Sequence, residues 1–187
     1  EVANRWSLDA DGLTAMTTVT NLSDTAAPVA AGFHPYLTVG TPTIDDAVLT
    51  LPAGARILTD DQQIPNGSEP VEGTAYDFRT PRPIGDVQID HAFADLRRDA
   101  DGRARLRLAA PGGERTVTLW VDEAYPYLEV FTGDALPDVS RRRRGLGVEP
   151  MSAPPNALAT GEGVVALLPG DQWQGRWGIE TSSAEAG

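Results

Sequence analysis

Trp6-Ser7-Leu8-Asp9-Ala10-Asp11-Gly12-Leu13-Thr14-Ala15-Met16-Thr17-Thr18-Val19-Thr20 is the stretch on which the fold class turns. Two runs with a period of two flank Asp-Ala-Asp-Gly. A period of two belongs to a strand, whose successive side chains point to opposite faces. Asp-Gly between such runs signals a hairpin, because glycine tolerates positive φ. The stretch therefore predicts two antiparallel strands joined by a tight turn.

The same pattern recurs downstream. Asp99-Ala100-Asp101-Gly102 repeats the turn, and Ala104 to Ala109 alternates Arg105 and Arg107 with Leu106 and Leu108. Gly112-Gly113 turns into Arg115 to Val121, and Tyr127 to Thr132 follows. Strands are also expected over Val48 to Leu51, Ala55 to Thr59, Gln88 to Leu96, Leu146 to Pro150, Val164 to Leu168 and Gln172 to Glu180. Residues 60–87 are rich in Pro, Gly and Asp, and are expected to form a long surface excursion on one side of a site. Pro154 to Leu158 predicts a turn with one short helical turn. About a dozen short strands and no convincing helix predict an all-β protein, a sandwich or barrel of antiparallel strands. No linker or sustained repeat divides the chain, so residues 1–187 are expected to be a single domain.

Composition narrows the function. At 187 residues the chain is long enough for a real core, and 41 % hydrophobic with 22 % charged residues is ordinary for a globular protein. A net charge of −12 argues against nucleic acid and against an anionic membrane surface. There is no cysteine, hence no disulfide and no thiolate metal ligand. Every basic residue is arginine, which excludes Schiff-base lysine chemistry. No run of about 18 apolar residues is present, and no basic segment followed by an apolar one opens the chain. A cytoplasmic protein is expected. The chain begins Glu-Val-Ala inside a strand pattern, so an N-terminal part is expected upstream of it.

Several motifs fall away. The two Asp-Ala-Asp-Gly segments place glycine fourth, whereas a calcium loop of the EF-hand type places it sixth. There is no phosphate-binding glycine loop and no Gly-x-Ser-x-Gly. Two histidines without cysteine make a poor zinc site.

What remains is a set of polar residues in apolar, glycine or proline context: His34, Asp90, His91 and Glu149. His34 stands in Gly32-Phe33-His34-Pro35-Tyr36, where Pro35 pushes it towards an extended shape. Histidine titrates near neutrality and suits proton transfer. By residue type alone, His34 reads as a half-buried strand histidine and Glu149 as an edge glutamate held by an arginine. Alternation places Asp90 and His91 on opposite faces, so at most one of them points into a given site. Arg141 to Arg144 reads as a solvated loop.

The ordered set Gly-Phe-His-Pro-Tyr, Ile-Asp-His-Ala-Phe, Val-Glu-Pro-Met-Ser with Pro-Asn-Ala-Leu, and Leu-Pro-Gly-Asp resembles the aldose 1-epimerase (galactose mutarotase) family. Thr-Asn-Leu-Ser-Asp-Thr-Ala-Ala-Pro-Val before His34 and Tyr-Leu-Glu-Val-Phe-Thr-Gly after the middle strands are similar to it as well. The resemblance covers nearly the whole chain. It implies a large antiparallel β-sandwich of the galactose mutarotase type, of which this chain would be the C-terminal portion. It implies a catalytic pair, His34 as general acid and Glu149 as general base, with Asp90 binding sugar hydroxyls. Family members usually carry an aromatic where Leu37 stands. They are longer by roughly a third, and the additional first part brings an arginine and a further histidine to the sugar.

The implied activity is anomer interconversion of an aldohexose such as galactose or glucose, by acid–base ring opening and closure. It needs no cofactor and no metal, and its partner is a small sugar. Aromatic faces suit sugar C–H groups, and Tyr36, Phe93 and Trp173 are candidates for that contact or for the core. Two alternatives remain open. A hexose-phosphate epimerase of the same fold would need a basic pocket, for which Arg141 to Arg144 is the dense candidate. A carbohydrate-binding module would bind sugar without accelerating exchange.

Overall fold

The computed structural model of the chain describes residues 1–183. Its strands are β1 (Val2–Asp9), β2 (Gly12–Thr20), β3 (Ala27–Val29), β4 (Tyr36–Leu37), β5 (Val48–Thr50), β6 (Ala53–Thr59), β7 (Pro65–Pro70), β8 (Arg82–Pro83), β9 (Asp90–Leu96), β10 (Ala104–Ala109), β11 (Arg115–Val121), β12 (Tyr127–Phe131), β13 (Leu146–Met151), β14 (Val165–Leu167) and β15 (Gln172–Ser183). Among the described residues helix is confined to a 3-10 turn at Val139–Arg141 and to α1 (Ala157–Thr160). None of the described helices is long and apolar enough to cross a membrane.

Two large antiparallel sheets form. One runs β1-β2-β15-β11-β10-β5-β8 and the other β4-β13-β12-β9-β6-β7, with β14 and β3 paired separately. The opening hairpin pairs from Val2↔Val19 to Asp9↔Gly12, and Gly12 takes φ +118 where the turn demands it. Both sheets contribute to one core: Leu106, Leu108 and Leu119 from the first, and Phe93, Leu128, Val130 and Val148 from the second. Burying each such side chain is worth about 1.5–3 kcal/mol, so this layer dominates the stability of the sandwich.

Two expectations need correction. Residues 60–87 are not a surface excursion throughout. They contain β7 and β8, and Val71, Phe78 and Ile84 lie in the core at 0–1 % exposure. These apolar residues stand singly among Pro, Gly and Asp, so each fills a gap under the loop without producing a period. The arginine run is not simply solvated either. Arg143 is largely buried and donates to Asp45 (2.5 Å), to Asp134 (3.0 Å) and to the Gly85 carbonyl (2.5 Å). It joins three loops. Arg141, Arg142 and Arg144 remain exposed.

The segment around His34 runs antiparallel beside β13. The Phe33 amide donates to the Pro150 carbonyl, the Val148 amide to the Pro35 carbonyl and the Ser152 amide to the Ala31 carbonyl. Pro35 has no N–H to offer, and the pairing uses only its carbonyl. Alternation then divides the segment. Phe33 packs against Trp6, Tyr125 and Trp177, and Leu37 is buried in the core. His34 and Tyr36 emerge on the opposite face.

Candidate active site

The outward face of the six-stranded sheet is organised in rungs. Tyr36 lies opposite Gly147, which belongs to β13; Gly147 lies opposite Phe131, and Phe131 opposite Asp90. The adjacent rung on the same face runs Glu149, Glu129, Ala92. Strand register alone thus brings Tyr36, Asp90 and Glu149 to one surface from three widely separated parts of the sequence.

His34 reaches over this surface. Its Nε2 lies 2.9 Å from Glu149 Oε1, with the histidine half exposed and the glutamate largely covered. Its ring stacks on Tyr36 at 5.0 Å between centroids and 24° between planes. Gly147 makes room for it. A Cβ there would sit 3.2 Å from Phe131 Cβ, tighter than an ordinary contact, and 3.5 Å from His34 Cε1, in van der Waals contact with the imidazole. Glu149 is therefore bound to a histidine, not to an arginine.

Burial raises the Glu149 carboxyl above the ordinary range, the His34 charge opposes that rise, and Asp90 adds to it. Burial likewise raises the Tyr36 phenol, helped by the Glu149 charge. The same carboxylates are felt throughout the surface, which makes it a continuous electrostatic unit.

His91 stands apart. It lies opposite Val130, a core residue, and its Nε2 accepts from Arg56 Nη1 at 2.8 Å while Tyr76 meets it edge-on. Burial, reinforced by the Arg56 charge, lowers its pKa and keeps the ring neutral. It is a structural partner of Arg56, and Asp90 is the neighbour on the outward rung, as alternation requires. Of the three aromatic candidates only Tyr36 stays at the surface. Phe93 is fully buried and Trp173 packs edge-on against Tyr125. Leu37 lies in the core and forms no wall beside His34.

Sequence reasoning missed Glu129. In Tyr127-Leu128-Glu129-Val130 a glutamate alternating with apolar residues reads as solvent-facing, and its position opposite Glu149 depends on register. Burial and the charges of Glu149 and Asp90 push its carboxyl up to about 8. Beside these groups lies a cleft of about 490 Å³ bordered by Asp60, Gln63, Tyr76, Gln88, Asp90 and Phe131. Part of the 60–87 segment thus does border the site. Among the described residues no group of three or more His, Asp or Glu side chains is disposed to hold a metal ion.

Comparison with known proteins gives a consistent result. The family model for aldose 1-epimerase matches residues 1–180. The uncharacterized protein YihR of Escherichia coli K12 is 31 % identical over 166 residues, covering 88 % of this chain and 50 % of the relative. The galactose mutarotase of Mus musculus is 33 % identical over 131 residues, covering 63 % of this chain and 37 % of the relative. The chain thus spans half the length or less of these relatives. Among solved structures, a GalM/aldose epimerase homologue from C. elegans superposes with a TM-score of 0.82 at 18 % identity, covering 98 % of this chain and 60 % of that one. A putative aldose 1-epimerase from Escherichia coli K12 gives 0.79 at 22 % identity, covering 98 % and 60 %.

Proposed function

Because the chain belongs to the aldose 1-epimerase family, we propose that it interconverts the α and β anomers of an aldohexose such as galactose or glucose, with His34 and Glu149 as the acid–base pair. The observation that supports this most directly is the 2.9 Å contact between His34 Nε2 and Glu149 Oε1 on an open, carboxylate-lined face.

In this reading Glu149 removes the proton of the C1 hydroxyl while protonated His34 gives one to the ring oxygen. The bond between C1 and the ring oxygen breaks, leaving an aldehyde at C1 and a hydroxyl where the ring oxygen was. Rotation about C1–C2 presents the other carbonyl face. Ring closure then returns the hydroxyl proton to His34 and the Glu149 proton to the carbonyl oxygen. Each group acts once as acid and once as base, so both need proton affinities near neutrality. The partly buried setting that raises Glu149 suits that demand. Asp90, on the neighbouring rung, accepts sugar hydroxyls, and the exposed Tyr36 ring offers a face to sugar C–H groups. The chemistry assigned to these residues involves proton movements alone.

The test follows α-to-β exchange of galactose and glucose by NMR or polarimetry, with and without protein. Acceleration is expected, and its loss in His34→Ala and in Glu149→Gln. Wild-type rates in both variants would remove the assignment. Binding of sugar with no acceleration would mark a carbohydrate-binding module instead.

A second reading has its own support. Tyr36 also borders a cleft of about 580 Å³ whose far side carries Arg141 and Arg144. Two arginines in a cleft that Tyr36 also borders suit a phosphorylated hexose. A hexose phosphate exchanged faster than the free hexose, with that preference abolished in Arg141→Ala, would favour it.

A further inference from the structure

Glu129 and Glu149 occupy one cross-strand rung between β12 and β13 and point to the same face. Side chains so placed have Cβ atoms about 4.5–5.5 Å apart, and like charges at that separation are destabilising. Where two carboxyls share a site, the proton affinity of one is raised. Their surroundings decide which. Glu149 has the His34 imidazole at 2.9 Å. Among the described residues no cation within salt-bridge distance reaches Glu129. Arg56 is committed to Glu69 and His91, and Arg143 to Asp45 and Asp134. On its other side Glu129 faces Ala92, itself buried, with Asp90 one step further along β9. The remaining borders of its depression are uncharged, from Thr59, Gln63 and Pro155, apart from His91, which is held neutral against Arg56.

We propose that Glu129 and Glu149 form a carboxyl pair sharing one proton, in which Glu129 is a positioning residue that holds the proton and Glu149 carries the charge. A protonated carboxyl is a donor as well as an acceptor, so Glu129 can hold its neighbour in a fixed orientation while adding no second negative charge. Glu149 then stays anionic beside His34, ready to receive the C1 proton. That role of Glu149 rests on the anomer exchange proposed above; the shared proton is a property of the folded chain alone. The elevated proton affinity of Glu129, which arises from burial first and from Glu149 and Asp90 next, accords with this division.

The test is a carboxyl ¹³C NMR titration of the whole chain labelled at glutamate, the Glu129 signal being identified by its disappearance in Glu129→Gln. Glu129 is expected to titrate near pH 8, and to titrate lower in Glu149→Gln, where the neighbouring charge is gone. Titration with the exposed glutamates, between about pH 4 and 5, would overturn the proposal. So would a Glu129 titration unmoved by Glu149→Gln. If wild type accelerates anomer exchange, its pH–rate profile should show a break near pH 8 that Glu129→Gln lacks, which a purely structural role would not produce. If wild type shows no exchange but the NMR shifts are as expected, the carboxyl pair stands and the proposed reaction falls.

Discussion

Asp99 and Asp101, at the turn between β9 and β10, and Glu129 and Glu149, on facing strands of the six-stranded sheet, are ordinary carboxylates in opposite surroundings. At the turn, Arg105 reaches Asp99 at 2.7 Å and Asp101 at 2.5 Å, and its hydrogen bond holds Asp101 well below the usual carboxylate range. On the rung, a single histidine meets Glu149 and, among the described residues, no cation meets Glu129, and burial raises both. The turn neutralises its charges locally, in water, with a flexible neighbour. The rung gathers charge on a partly buried surface with too few cations. Asp101, locked to Arg105, exchanges no proton near neutrality. Glu129, pushed up to about 8, can.

The contrast can be tested at several strengths. The largest effect is expected at the proposed acid–base pair. His34→Ala and Glu149→Gln should each lower the proposed anomer exchange by roughly 10²–10⁴-fold, read by NMR exchange rates, while Asp101→Asn leaves those rates unchanged. Next comes the pH dependence of stability. The Glu129 carboxyl binds its proton more tightly folded, at about 8, than unfolded, at the ordinary value of 4.5. The stability it contributes is therefore complete below pH 4.5 and lost as pH rises through 8. Urea unfolding of wild type should weaken relative to Glu129→Gln across that window, by at most about 1.4 kcal/mol per pH unit. Arg143 is an intermediate case, a largely covered cation that joins Asp45, Asp134 and the Gly85 carbonyl. Arg143→Met should lower the unfolding free energy by about 2 kcal/mol, because it strands those acceptors. The smallest effect belongs to the turn, where Asp101→Asn should leave the urea midpoint where it was, as exposed pairs do.

The parts of the molecule written in local chemistry were legible from sequence. Asp9 to Gly12 specified its hairpin because the turn needs only its own residues, and Gly12 takes the positive φ expected of it. The alternation of Arg105 to Leu108 marked β10 for the same reason. Val71, Phe78 and Ile84 were not legible, because isolated apolar residues carry no period, and their burial depends on what lies above and below them. His34 and Glu149 were nominated through a resemblance between ordered motifs. Their contact, and above all the position of Glu129, follow from pairing between distant strands, which no local window contains. Arg143 was hidden by its neighbours. Four identical residues in a row look equivalent until the loops they join are placed.

The position of β15 has a consequence for how the molecule is made. It lies between β2 and β11 and pairs with both along most of its length, so the first strands of the seven-stranded sheet meet the rest only through it. During synthesis the edge of β2 that β15 covers stays unfilled until residues 172–183 emerge. Such long-range closure is slow. Until it happens the exposed Trp6 has no Trp177 to rest against, and the nascent chain is at its most vulnerable to pairing with the wrong strand.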